Sequence, residues 1–438
     1  MQLRLRHALV LCLFLCAPLG AQVRSLTILH VNDLHARLTP LDDGHGGFAY
    51  LAAEIREQRA HCSDCILLNA GDLVQGSPVS TIFHGLPVYQ IANLFGFDAA
   101  TLGNHEFDYG WPQVKKFIST ANYPIVTANL ENSKGQLMTP KPYVILKVNG
   151  LRVAVVGLMT ETLKTLTKPA QMEDWHTTPL IEAARKYAAE ARKESDLVVA
   201  LTHVEPREER AILEQVPDVS VIVSGHAHDG LREAVSRDRR VIVRVRAYGE
   251  ELGRLDLKVN TQTKSIDDWT WKTVVVDDAK IQPVAEVAEQ VGHWEGEVAS
   301  RVDQPLCVAA HAFNKRELKA MIEQAMRDET GADFAWMNMG GIRDLLPKGQ
   351  ILVRHIWDMM PFDNTVLVGT FKGRDLPKVV VNRPVDPDRE YTLAVSDYTA
   401  ANQETAENLR TRGLVFPHEV GTLRDIIVDW CRKKKVLE

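Results

Sequence analysis

Long apolar runs, blocks of one charge, internal repeats and low-complexity segments are all missing from the body of this 438-residue chain, and each absence removes a class of protein. Without a stretch of roughly eighteen apolar residues there is nothing from which to build a membrane-spanning helix, and a soluble product is expected. With no basic run, no interleaving of basic and aromatic residues and a formal charge of −6, a duplex nucleic-acid partner is disfavoured. A small anionic substrate stays open, because bound metal ions can outweigh net charge locally. Cysteine is scarce, six in all. What is present is 45% hydrophobic and 25% charged residues, enough chain and enough core for two ordinary domains.

The first 21 residues follow a different logic. Arg4 and Arg6 precede an apolar run from Ala8 to Leu15, and Ala17 to Ala21 offers small residues for cleavage. This reads as a secretory signal, and neither Cys12 nor Cys16 follows the small residues that lipidation requires. A secreted or periplasmic protein without a transmembrane anchor, and a monomer, is expected. Losing two arginines takes the formal charge from −6 to −8. Four cysteines remain, an even set that in an exported chain suggests disulfides. Cys62 and Cys65 read as a short local bridge between a helix and a strand. Cys307 and Cys431 are then paired by elimination.

Five apolar runs each end in residues able to bind metal: Leu26–Val31 before Asp33 and His35, Ile66–Ala70 before Asp72, Ala99–Gly103 before Asn104, Leu197–Thr202 before His203, and Val219–Gly225 before His226 and His228. Helical patterns lie between them at Phe48 to Arg59, Gln113 to Ala121 and Ile181 to Lys193. This alternation predicts an α/β fold with largely buried sheets, in which ligands gather beyond the carboxyl ends of strands. Asn149-Gly150 predicts a hairpin joining Tyr143–Val148 to Leu151–Leu158. A further strand pair is expected at Val241–Val245 and Arg254–Val259. Residues 22–276 form the expected first domain, 277–300 a connecting helix, and 301–438 a second, smaller α/β domain. That second domain is predicted to hold helices from Lys315 to Asp328 and from Thr422 to Lys434, strands near Thr365–Phe371 and Tyr391–Ala394, and a turn at Asn338 to Arg343.

Asp33, His35, Asp72, Asn104, His203, His226 and His228 offer three oxygens, four nitrogens and no thiolate, more donors than one tetrahedral site can use. They suit two divalent ions sharing Asp72, which stands alone on its loop. Zinc, manganese, iron or cobalt would each accept this donor set. Two such ions, roughly 3.5–4 Å apart, acidify a shared water and clamp the oxygens of a phosphoryl group during in-line displacement. His105 is left free for proton chemistry, and Asp108, three residues on, sits on its face if a helical turn opens there.

The order Asp33-x-His35, Gly71-Asp72, Gly103-Asn-His-Glu106, His203 and Gly225-His-x-His228 resembles the calcineurin-like metallophosphoesterases. Within them, Val31-Asn-Asp-Leu-His35, Gly71-Asp-x-x-Gln-Gly-Ser77 and Asn104-His-Glu-Phe-Asp108 resemble the secreted 5′-nucleotidase family, which includes UDP-sugar hydrolases and 2′,3′-cyclic-nucleotide phosphodiesterases. The resemblance implies a four-layer α/β/β/α metallophosphoesterase sandwich followed by a smaller nucleoside-binding domain. It implies that the seven residues hold two metal ions and that His105 and Asp108 are the catalytic dyad. In the second domain, Asn338-Met-Gly-Gly-Ile-Arg343 resembles the nucleotide-binding turn and Pro361-Phe-Asp-Asn364 the segment supplying an aromatic wall, so Arg343, Phe362 and Asn364 are carried over as substrate-binding residues. Tyr398 fits the second aromatic, and Glu404 falls where the family has a ribose-binding Asp. The family's Gly-Gly-Asp-Gly turn is absent between them. A nucleotide or other phosphoester is thus the expected substrate. Two alternatives stand beside it: a thiosulfohydrolase of the sulfur-oxidation type, and an exported nucleotide-binding protein without catalysis.

Overall fold

The computed structural model describes residues 23–402, 409 and 413–438. The predicted signal lies outside the described residues, as does Glu404. Among the described residues no helix is long and apolar enough to cross a membrane.

The apolar runs become two sheets. Val23–Val31, Cys65–Asn69 and Ala99–Ala100 run parallel, and Val23–Val31 also pairs antiparallel with Glu251–Asn260, whose other neighbour is the edge strand Ser265–Val275. The second sheet orders Val235–Arg237, Arg240–Val243, Val221–Gly225, Leu197–His203, Leu151–Met159 and Tyr143–Val148. Because successive strand residues point to opposite faces, a continuous apolar run can feed two cores. Val153 and Val155 join Leu26, Ile28, Val199, Val223 and Leu257 between the sheets. Ala154, Val156 and Val198 face outward onto Leu180, Ala184 and Ile212 of the helices Leu180–Glu194 and Pro206–Gln215. On the opposite side Leu29, Val31 and Leu67 pack with Phe48, Leu51 and Ile55 of the helix Phe48–Ala60. The result is the expected helix, sheet, sheet, helix layering.

The hairpin at Asn149-Gly150 forms as read, with both residues at positive φ, 49° and 72°. Three expectations need correction. Arg240–Val243 and Glu251–Asn260 are both strands but lie in different sheets, since the chain between them passes over the strand ends, Val245 bonding to Asn32 and the Tyr248 N–H to the Asp33 carbonyl. The helix expected from 277 spans Ala285–Val302, starting beyond Pro283, with Val287, Val291, Val298 and Val302 as its buried stripe. Cys62 and Cys65 are bridged as expected, with Cα atoms 5.8 Å apart, but Cys307 and Cys431 are buried free thiols. Each of the latter is seated by a regular element, the strand Pro305–Ala309 and the helix Leu423–Lys434, so packing rather than a cross-link brings them together. The strand Ser265–Val275 is not evident from pattern because its Asp-Asp-Trp-Thr-Trp alternation is polar and half exposed.

The second half carries a three-stranded and a four-stranded sheet with the helices Lys315–Thr330 and Leu423–Lys434. Lys315–Thr330 starts at Asn314, whose side chain accepts from the N–H groups of Arg316 and Glu317, and stops at Gly331 with φ 69°. The helix Ala285–Val302 lies against Phe48–Ala60 and Pro78–Ile82, with Trp294 edge-on to Phe83 at 5.0 Å. Arg37 pairs with Asp344 at 2.7 Å across the same seam.

Candidate metal centre and substrate cavity

All five loops after the apolar strands converge. Donor atoms of Asp33, His35, Asp72 and His228 lie within 4.8 Å of one another, and so do those of Asp72, His203 and His226. Asp72 belongs to both groups, and Asn104 reaches the second through Oδ1, 3.1 Å from His203 Nε2. The seven residues named from the sequence are therefore brought together.

Holding them there strains the backbone. Asp33, His35, Asp72, His226 and His228 all have φ between 47° and 80°, the left-handed region, at a cost of about 1–3 kcal/mol each. Asp and His tolerate that region better than bulky or β-branched residues. Glycine makes room for the approach: a Cβ on Gly103 would lie 2.1 Å from Asp72 Oδ1, and one on Gly225 2.6 Å from Ala70 O and 3.0 Å from Asp33 Oδ2.

The donor set fits cations. His203 Nδ1 lies 2.8 Å from the carbonyl of Ala70, which can only accept, so Nδ1 carries the proton. A neutral ring then turns its Nε2 lone pair toward Asp72 Oδ2 at 3.2 Å and Asn104 Oδ1 at 3.1 Å, an arrangement that needs a positive charge between the atoms. Burial opposes protonation of the ring, but the carboxylates of Asp72 and Asp33 outweigh burial and push His203 up to about 10. His35 Nε2 and His228 Nε2 face each other at 2.9 Å in the other group. Around the donors, Asn32 donates to Asp33 Oδ2 at 2.7 Å and is itself pinned to both polar atoms of the Val245 backbone. The N–H of His226 donates to both Asp33 oxygens, and Glu205 lies 3.2 Å from His226 Nε2.

His105 opens the short 3-10 turn His105–Phe107, and its Nδ1 donates to Asp108 Oδ2 at 2.8 Å, since the carboxylate can only accept. Its N–H donates to Asp72 Oδ1 at 2.9 Å. Burial lowers the His105 pKa, but Asp108 and Asp72 more than offset it, so the net shift is upward. One residue on, Glu106 is fully buried and accepts from the N–H groups of Gly103, Leu73 and Asp72 at 2.6, 2.9 and 3.2 Å. Burial, then the Asp72 charge, raises its pKa to about 7. Sequence reasoning assigns Glu106 no role, though it stands inside the Asn-His-Glu motif. Gln75, in the Gly71 to Ser77 motif, is missed in the same way; it is 1% exposed and lines a cavity over the donor cluster.

A cavity of about 420 Å³ opens over this cluster. Its near wall holds Asp72, Asn104, His105 and His228, and its far wall Arg343, Phe362, Asn364 and Tyr398, four of the five residues read from the second half, Glu404 lying outside the described residues. Phe362 lies 5.7 Å from the His105 ring, and Arg343 Nη2 lies 3.4 Å from His35 Nε2. Phe362 and Tyr398 are each half-buried. Arg424 of the tail helix fixes the Phe362 segment, donating to Met360 O at 3.0 Å and pairing with Asp363. Lys168 and Gln171, which sequence reasoning does not single out, complete the rim.

Residues 26–230 match the calcineurin-like phosphoesterases. Residues 291–383 match the 5′-nucleotidase C-terminal domain, so the chain joins a calcineurin-like phosphoesterase domain to a 5′-nucleotidase C-terminal domain. It is similar to endonuclease YhcR of Bacillus subtilis, 28% identical over 418 residues that make up 85% of this chain. The aligned part is only 34% of YhcR, so the chain spans about a third of that relative. A 5′-nucleotidase precursor from Thermus thermophilus shares the fold with a TM-score of 0.85 at 21% identity, covering 95% of this chain and 97% of that one. The sulfate thiohydrolase SoxB of the same organism shares it with a TM-score of 0.81 at 18% identity, covering 94% of each.

Proposed function

We propose that the protein is an exported phosphohydrolase that uses two divalent ions to release phosphate from nucleotides, UDP-sugars and cyclic nucleotides being the neighbouring substrates to compare. The observation that carries this reading is the cavity in which the donor cluster and His105 face the Phe362 and Tyr398 side. Asp33, His35, Asp72 and His228 would hold one ion, and Asp72, Asn104, His203 and His226 the other. When bound, such ions supply Lewis acidity toward the phosphoryl oxygens and acidify water for the attack.

The chain's own residues do the rest. Asp108 keeps the His105 proton on Nδ1, so Nε2 is the atom that meets the reacting group, stabilising charge or passing a proton to the leaving oxygen. Arg343 draws the phosphate toward the cluster, and the two aromatics take the base by stacking, which tolerates any base. The export reading rests on residues 1–21, and the boundaries near 276 and 301 on the pattern of the chain. A sulfur anion presented by a carrier protein has no use for two half-exposed aromatic rings, which sets the thiosulfohydrolase reading second.

The test is phosphate release from AMP, UDP-glucose, cyclic nucleotides and an aryl phosphate, with added manganese or zinc and with a chelator. Metal-dependent release from AMP is the expected result, and no metal-dependent release from any substrate overturns it. Tight nucleotide binding without turnover would instead support the non-catalytic reading. Phe362→Ala is expected to weaken AMP by about 1–3 kcal/mol relative to the aryl phosphate, measured as the change in the ratio of kcat/KM. Equal losses on both substrates would make Phe362 a packing residue.

A further inference from the structure

One ammonium group bonds to the residues next to both aromatic rings of the cavity. Lys168 Nζ donates to Asp397 Oδ2 at 2.6 Å and to Asp363 O at 3.4 Å. Asp363 directly follows Phe362, and Asp397 directly precedes Tyr398. The Lys168 loop reaches the Tyr398 helix, Asp397–Ala401, at two further points: Tyr398 donates from its hydroxyl to Thr165 O at 3.1 Å, and Asn402 donates to Thr167 O at 3.3 Å. Asp397 also accepts from the Tyr398 N–H at 2.8 Å, so its position is transmitted to the ring's own backbone. On the other side, Gln171 ties the loop to the dyad. Its Oε1 accepts from the Lys168 N–H at 2.9 Å while its Nε2 donates to the carbonyl of Asp108.

We infer that Lys168 is a positioning residue that sets the spacing of Phe362 and Tyr398, and that Gln171 fixes the slot's place relative to His105 and Asp108. The inference rests on the nucleotide reading above. An ammonium shared between two chain segments holds them at one separation, and a planar base needs a slot of fixed width to stack on both rings. The loop comes from the first half of the chain, whereas both rings come from the second, so the slot has its working width only when the two halves are seated on each other. A substrate without a base has no need of that spacing.

Steady-state kinetics on AMP and an aryl phosphate separate the two roles. Lys168→Met is expected to raise KM for AMP and lower the AMP-to-aryl ratio of kcat/KM about tenfold, a partial loss of the stacking contribution, while Lys168→Arg holds the ratio within about threefold of wild type. Gln171→Met is expected to lower kcat about tenfold for both substrates with little change in KM, as slight misplacement of a catalytic group does. Asp397→Asn removes the same ion pair from across the seam and reproduces the Lys168→Met ratio, so it stands in if that variant fails to fold. A ratio within about threefold of wild type in the folded Lys168→Met or Asp397→Asn protein, or parallel losses on both substrates, overturns the inference. Wild-type protein inactive on both substrates is a different outcome, which fails the nucleotide reading and the inference with it.

Discussion

Replacing His105 with Asn is expected to lower turnover of AMP by about two to four orders of magnitude while leaving bound metal unchanged. Two features of the site separate those quantities. The imidazole is held by Asp108 at 2.8 Å and stands outside both donor groups, so its removal takes away charge stabilisation and proton transfer without taking a donor from the cluster. The part of His105 that does touch the cluster is its N–H, bonded to Asp72 Oδ1 at 2.9 Å, and the substitution keeps that bond. Metal content measured on the purified variant beside kcat checks both halves. Turnover within tenfold of wild type would remove His105 from the mechanism, and lost metal would make it a structural support of the cluster.

Removing Glu106 is expected to have the largest effect on stability. Glu106→Ala leaves three buried N–H groups, those of Gly103, Asp72 and Leu73, without their acceptor. An orphaned buried donor costs about 1–3 kcal/mol, so about 3 kcal/mol is lost even at the low end, a large share of a typical stability of 5–15 kcal/mol. The same three bonds shape the loops that carry Asp72 and Asn104, and loss of such outer support typically weakens metal binding by about 10–100-fold. Glu106→Gln keeps one acceptor oxygen but turns an NH₂ group toward backbone donors, so it should fall between wild type and Glu106→Ala. Denaturant melts and metal titrations read the two effects, and a Glu106→Ala protein with wild-type midpoint and metal affinity would contradict this account.

The parts of the site that are legible in the sequence are those written locally. Strand residues followed by a polar dyad identify themselves, because a buried strand must end before a charged donor can turn into a cavity; Asp33, His35, His226 and His228 all obey this. The spacing of His105 and Asp108 also suffices, since one helical turn brings them together. Glu106 is legible only as a letter of a motif. Its bonds reach loops up to 34 residues away in sequence, and nothing local shows that its carboxylate turns inward while His105 beside it faces the cavity.

The sheets divide in the same way. Apolar runs buried on both faces are plain, but the sheet each strand joins is not, because pairing depends on partners far along the chain. Arg240–Val243 and Glu251–Asn260 both read as strands in the sequence and separate by sheet. Cys307 and Cys431 show the limit of counting: an even number suggests a bridge, while packing leaves two buried thiols.

By itself the sequence determined the donor types, their placement at strand ends and the pairing of His105 with Asp108, because each is set by residue chemistry and short-range periodicity, while the aromatic candidates came from the family resemblance. Only the tertiary structure decided which donors gather on either side of Asp72, that Glu106 braces their loops, and that Lys168 from the first half reaches the residues beside Phe362 and Tyr398 in the second. Those relations are distances between segments up to 229 residues apart, and such distances are fixed by how the two cores pack rather than by any pattern along the chain.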